Sequence, residues 1–500
     1  MTTPLDPRTP VLIGGGQVNQ RVDRGEPALE PVDLMVEALR RAAADTGAPD
    51  PAGLLARADI VGVVNVLSWR YFDPAALVAP RVGASPRRTW HTNPGGSSPQ
   101  LLVNRAARDV ASGAADLVLL CGAEAWRTRM ELRAAGQRPE WTVQGDDVTP
   151  SLLLGDDTPM YHPAEAARGL MMPVQHYPLF ESAVRAAAGR SPADHLVHLS
   201  ELWAGFSAVA ATNPDAWITR PYTAVEIGTV GPDNRMIGYP YPKLMNSNNH
   251  VEQGAAVIVC SAERARSLGV APERWVFPWA GTEAGDTPFV SHRPTLAGSP
   301  AIRIAGGAAL ALAGIDVDDV AHLDVYSCFP SAVQVAANEL GLSLDRPLTV
   351  TGGLSFAGGP WNNYVMHALA TMARVLRDDP GSIGLCTANG GFLTKHAFGV
   401  YSGTPPPSGR FGWAAPQGEV DAAGGVELCD EWDGPVTVEA ATVMHARDGE
   451  RETGLFAVRL PDGRRTWANT TDDAVLEEVE TTEVVGRPAR IGRDGVLELA

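Results

Sequence analysis

Five hundred residues are too many for one hydrophobic core, so at least two domains are expected. A hydrophobic fraction of 45% and a charged fraction of 20% are those of an ordinary globular chain. The net charge of −18 argues against nucleic acid as a partner, because phosphate backbones need a basic surface; a small anion needs only a local basic patch.

No apolar run reaches membrane-spanning length, and MTTPLDPRTP has neither the basic start nor the apolar core of a signal peptide; a cytoplasmic location, without a membrane partner, is expected. The cysteines, Cys121, Cys260, Cys328, Cys386 and Cys429, are odd in number and widely spaced, with no CxxC pair. That pattern argues against a disulfide framework or a zinc site, and no metal is expected.

In chain order, VLIGG (11–15) reads as a buried strand, residues 31–47 as a helix and DIVGVVNV (59–66) as a second strand. The triple glycine at 14–16 lacks the spaced GxGxxG and acidic partner of a dinucleotide site. Gly-rich NPGGSSP leads into a helix at 99–113 and then strand DLVLLCG (116–122). Residues 124–245 are irregular and rich in Trp, Tyr, Pro and Met, a long excursion expected to cover a site. Strand AAVIVCS (255–261), helix 307–315, strand LDVYSCF (323–329) and helix 330–342 follow. Gly-rich GGLSFAGGP then leads into helix 365–377 and strand SIGLCTANGG (382–391), a second loop–helix–strand unit that suggests duplication. TPPPSG (404–409) reads as a linker, and beyond it strands alternate with Asp-Gly turns. Domains are expected at 1–270, including the excursion, at 271–403 and at 404–500.

Read in order, these segments resemble the thiolase superfamily, most closely its sterol-carrier-type and type 1 thiolase-like branch, over roughly residues 8–402. Gly113 and the strand Asp116-Leu-Val-Leu-Leu-Cys-Gly-Ala-Glu124 match the family's helix end and DVVLAGGAES strand, and the family spacing then puts its nucleophilic cysteine at Gly96. Tyr326-Ser-Cys-Phe329 matches HDCF, and residues 352–360 match GGLxxxGHP with Gly359 at the catalytic histidine. Cys386-Thr-Ala388 matches CxG, and residues 246–261 match NxSxxxDGAAAVLLxS. The resemblance implies an α/β fold duplicated as βαβαβαββ in each half and five-layered, and a small antiparallel, OB-like β-barrel is expected after it.

Thiolase chemistry uses a helix N-terminus to activate a thiolate, a histidine base, a second cysteine for proton transfer, and backbone N–H groups that hold the thioester oxygen. Neither Gly96 nor Gly359 carries a reacting atom. Ser98 before Pro99 reads as an N-cap, and Ser97 lacks a base. By resemblance, Cys386 keeps the proton-transfer position and Cys328 the HDCF cysteine, while Gly96, Ser97, Gly358, Ala388 and Gly390 supply the binding backbone. Two buried strand-end cysteines would look the same. In thiolase-fold aldolases a tyrosine replaces the HDCF histidine, as Tyr326 does here, and Tyr364 is the nearest second tyrosine. Three readings follow: a protein that binds CoA or an acyl-CoA, named acetyl-CoA acetyltransferase by homology but without thiolase turnover; a retro-aldol carbon–carbon lyase; and a non-catalytic acyl-CoA-binding protein. Beyond the CoA thioester no cofactor is expected, and the chain is expected as a monomer or homodimer.

Overall fold

The computed structural model describes residues 5–22 and 27–499; the first four residues, where the signal-peptide reading begins, lie outside them. The first sheet runs, edge to edge, Leu152–Leu154, Arg88–Thr92, Ile60–Val63, Leu117–Ala125, Glu252–Ser261, Pro10–Asn19. Only Glu252–Ser261 is antiparallel to its neighbours. The second sheet repeats this plan with His322–Asp324, Ile383–Gly390, Lys395–Ser402 and Phe277–Gly285, the strand Lys395–Ser402 again antiparallel to both neighbours, and Gly412–Ala414 is added at its far edge.

Helices Ser98–Ala111 and Tyr364–Asp378 each touch strands of both sheets and so lie between them. Pro31–Asp45 covers the outside of the first sheet and Pro300–Ala313 the outside of the second, giving five layers. This explains the strand composition: Leu117–Ala125 and Glu252–Ser261 are buried at every position, as strands covered on both faces must be. The glycines at 14 and 16 have a packing role, because a Cβ on either would run into backbone carbonyls of Pro31–Asp45.

The duplication holds. Each inter-sheet helix leads into the strand next to its sheet's antiparallel strand. Three local readings change. The excursion is not mostly irregular: it contains helices Pro173–Ala187 and Pro192–Thr212. Pro178 inside the first of them, and its aromatic composition, disguised the helical period. In 323–329 only the start is strand, so Tyr326 to Phe329 form the turn into helix Pro330–Leu340.

The C-terminal barrel reading is also revised. A sheet ordered Arg465–Thr470, Arg451–Arg459, Gly434–His445, Pro488–Ile491, Leu497–Leu499 is antiparallel throughout. Arg465–Thr470 meets the residue before Leu497–Leu499 at one bridge, Asn469–Val496, and among the described residues no ladder closes the sheet. The Asp-Gly turns sit as expected, with Gly449 and Gly463 at positive φ. The sheet begins at Gly434, since Gly412–Ala414 joins the second sheet. It also takes in a hairpin, Met236–Gly238 with Tyr241–Pro242, from the excursion. Fully buried Arg465 fastens it to the body: it grips Glu439 through two 2.7 Å bonds and donates to the carbonyls of Val290, Ser291 and Arg293. Among the described residues no helix is long and apolar enough to cross a membrane.

Candidate functional site

The loop Asn93–Ser97 delivers the N-terminus of Ser98–Ala111 to the space between the sheets. The N-cap is Ser97, whose side chain caps nothing, while the Ser98 hydroxyl donates to the Asn93 carbonyl at 3.1 Å. The capping role expected of Ser98 is therefore not the one it plays. The Gly95 N–H is taken by Asn362 Oδ1 at 3.0 Å.

Gly96 is where the two halves meet. A Cβ there would fall inside the envelopes of the Asn389 carbonyl oxygen and the Tyr326 hydroxyl. A Cβ on Gly390 would lie 3.0 Å from both Gly95 Cα and the Gly96 nitrogen. Tyr326 is buried, with its N–H on Thr387 Oγ1 at 2.9 Å and its ring edge-on to Tyr364 at 5.6 Å. Burial, reinforced by the nearby Cys328 sulfur, raises its phenol pKa well above the ordinary range. The structure thus brings Gly96, Ser97, Tyr326, Ala388 and Gly390 together. Ala388 and Tyr326 share a void of about 10 Å³, about the least that holds one water.

Cys328 lies beside them, Sγ 3.9 Å from Asn389 Nδ2, its thiol pushed up to about 12 by burial. Cys386 does not join. It pairs in register with Asp324, two residues deeper than Ala388, and is fully buried. Burial and the Asp324 carboxylate raise its thiol pKa, and it does not line the void that Ala388 and Tyr326 share. Gly359 packs on another loop: its N–H donates to the Asn248 carbonyl at 2.9 Å and a Cβ would meet Ser247 and Asn249. Gly358, at φ +111°, lies against the Gln253 side chain. His367 turns toward the first strand, its Nδ1 2.8 Å from Gln17 Oε1, with burial pushing its pKa down to about 3.

Sequence reasoning missed Tyr177. Its hydroxyl accepts from Asn389 Nδ2 at 2.9 Å and the Leu393 N–H at 3.1 Å, and its ring stacks on Phe329 at 4.5 Å. The stretch MMPVQHYPLF stood out as aromatic, but nothing local in it points to strand Ile383–Gly390.

A cavity of about 840 Å³ starts at Ser97 and follows helix Ser98–Ala111. Its walls come from strand Phe277–Gly285, from residues 154–160 of the excursion and from residues 413–425. Arg105, Arg108 and Lys395 bring positive charge to it, against the carboxyl groups of Asp156, Glu283, Asp286 and Asp421. Lys395 Nζ donates to the Asp156 carbonyl at 2.6 Å, and desolvation lowers its pKa. Among the described residues no cluster of three or more His, Cys, Asp or Glu offers a metal site.

A family model, the thiolase-like protein type 1 additional C-terminal domain, matches residues 416–496. The monomeric SCP2-thiolase-like protein type 1 of Mycobacterium smegmatis is 33% identical with a TM-score of 0.84, over 99% of this chain and all of that one. An Ltp2–ChsH2(DUF35) aldolase shares the fold at 21% identity and TM-score 0.58, covering 79% of this chain and 98% of its own. An acetyl-CoA acetyltransferase of Methanocaldococcus jannaschii is 24% identical over 270 residues, 53% of this chain; the match spans 60% of that relative's length. Full-length similarity to the mycobacterial protein, together with the C-terminal domain particular to that type, makes this chain a member of the thiolase superfamily in its type 1 thiolase-like branch.

Proposed function

We propose that this protein holds CoA or a CoA thioester in the cavity that starts at Ser97, and that it does not catalyse thiolysis. The closure around Gly96 carries the reading. Gly96 and Gly359, at the family's nucleophile and base positions, have no atom to take an acyl group or a proton, and the space a thiol would need is filled by the Tyr326 hydroxyl and the Asn389 carbonyl. A helix N-terminus still favours a polarised or anionic oxygen without any side chain of its own. The cavity, at about 840 Å³, is within the range of small-molecule sites.

The lyase reading has less support. The Tyr326 hydroxyl points at Gly96 and keeps its proton, and Tyr364 is committed to Thr351 at 2.6 Å and Asp324 at 2.9 Å. A monomer is favoured, because the mycobacterial protein that the chain resembles at 33% identity is monomeric. The C-terminal sheet, seven strands with the excursion hairpin included, serves on this reading as an OB-like structural cap.

Calorimetry with CoA and acetyl-CoA, paired with an acetoacetyl-CoA thiolysis assay, tests the proposal. Binding without turnover is expected. Thiolysis above background, or no binding at millimolar CoA, overturns it.

A further inference from the structure

The cavity is electrically uneven along its length. At the inner end Ser97 is 3% exposed, opens on the cavity and makes no capping bond, and Lys395 lines the same end. About two and three turns along the helix, Arg105 and Arg108 share one face, three residues apart. Arg105 pairs with Asp109 at 2.8 Å, whereas no ion pair is found for Arg108 among the described residues; its guanidinium carbon lies over Trp413, 3.6 Å from the ring centroid. Trp413 comes from the short strand Gly412–Ala414, which follows the linker. Glu283 faces both arginines, and desolvation raises its pKa despite them.

From Ser97 to Arg108 the helix advances ~16 Å at ~1.5 Å per residue. An extended pantetheine arm, about thirteen bonds from sulfur to the first phosphorus at ~1.2 Å each, is also ~16 Å long. We infer that Arg105 and Arg108, with Trp413 as platform, form a diphosphate subsite that seats the nucleotide end of the ligand while the thioester end lies at Ser97 and Lys395. This rests on the proposal that the cavity binds CoA. It also gives the segment after the linker a direct part in binding. Guanidinium groups suit phosphate through paired N–H donors, and Trp413 holds Arg108 in place, a positioning residue. Glu283 opposes an anion there, and its neutral form would not.

The test measures binding of inorganic pyrophosphate, CoA and pantetheine by calorimetry to the full chain, with folding checked by circular dichroism. Arg108→Gln should weaken pyrophosphate and CoA about tenfold and leave pantetheine unchanged. Arg108→Lys should recover part of the loss, Trp413→Phe should retain most of the affinity that Trp413→Ala loses, and Glu283→Gln should tighten pyrophosphate. The last variant adds no steric demand and keeps the test alive if an arginine variant misfolds. CoA binding indifferent to Arg105→Gln and Arg108→Gln overturns the subsite and leaves the proposed function standing. Arginine-dependent pyrophosphate binding without CoA binding keeps the anion subsite and removes the CoA reading. Failure of both ligands removes both.

Discussion

Replacing Gly96 by alanine puts the closure of the site to a direct test. Gly96 is not among the glycines with positive φ, so alanine brings no backbone strain there. In that circumstance Gly→Ala ordinarily stabilises by ~0.4–1 kcal/mol through the unfolded chain. Here the new methyl would meet the Asn389 carbonyl, fixed in a strand, and the Tyr326 hydroxyl, held by a buried ring. Overpacking of this kind costs ~1–3 kcal/mol, so Gly96→Ala should be net destabilising. Tyr326→Phe removes the hydroxyl and leaves the ring carbon, 2.8 Å from the new methyl, and the Asn389 carbonyl. The cost of Gly96→Ala should then fall in the Tyr326→Phe background, with a coupling above ~0.5 kcal/mol. Urea midpoints of the four proteins at matched slope supply the numbers. A midpoint for Gly96→Ala equal to or above wild type, or additive effects in the double variant, would refute the packing described around Gly96.

By the same geometry Gly96→Cys should lower stability and leave acetoacetyl-CoA thiolysis at background, because the thiol has neither room nor base; a recovered thiolysis rate refutes this. Arg465→Ala should destabilise by ~1–3 kcal/mol, since the buried Ser291 and Arg293 carbonyls lose their donor while Glu439 keeps Arg459 at 2.7 Å; limited proteolysis should cut the C-terminal sheet first, and unchanged cleavage argues otherwise. His367, its folded pKa depressed to about 3, stays neutral in the fold, whereas the unfolded chain takes up a proton below ~6.5. Its contribution is complete above ~pH 6.5 and is lost as pH falls toward about 3, by up to ~1.4 kcal/mol per pH unit. The pH slope of urea midpoints should flatten in His367→Leu, and an unchanged slope contradicts the assignment.

What the sequence made legible follows from what burial imposes locally. Strands covered on both faces are continuous apolar runs, so DLVLLCG and AAVIVCS could be placed without structure, and with them the duplicated halves. Gly96, Tyr326 and Gly390 could be gathered because family spacing fixes positions along the chain. Spacing does not fix how far along a strand a side chain reaches the site, and Cys386 shows the limit: it shares a strand face with Ala388, yet two residues separate it from the void that Ala388 lines. Tyr177 was hidden for another reason. Its partners Asn389 and Leu393 lie far along the chain, and no local period encodes such a contact.

The hairpin Met236–Pro242 has a bearing on how this architecture can be cut and recombined. It extends the C-terminal sheet through Met444 while belonging to the excursion of the first half. Ser182 and Arg185, on helix Pro173–Ala187, also reach the C-terminal part, through the Ala441 N–H at 2.9 Å and through Glu483 at 2.9 and 3.0 Å. A fragment ending near residue 404 would strip a sheet from that hairpin and leave Arg185, 2% exposed in the whole chain, without its carboxylate. A fragment beginning there would lack the strands that complete its edge. The heritable unit is therefore discontinuous. A recombination point at the linker divides one folded object in two, and grafting the C-terminal part onto another thiolase requires moving the excursion with it.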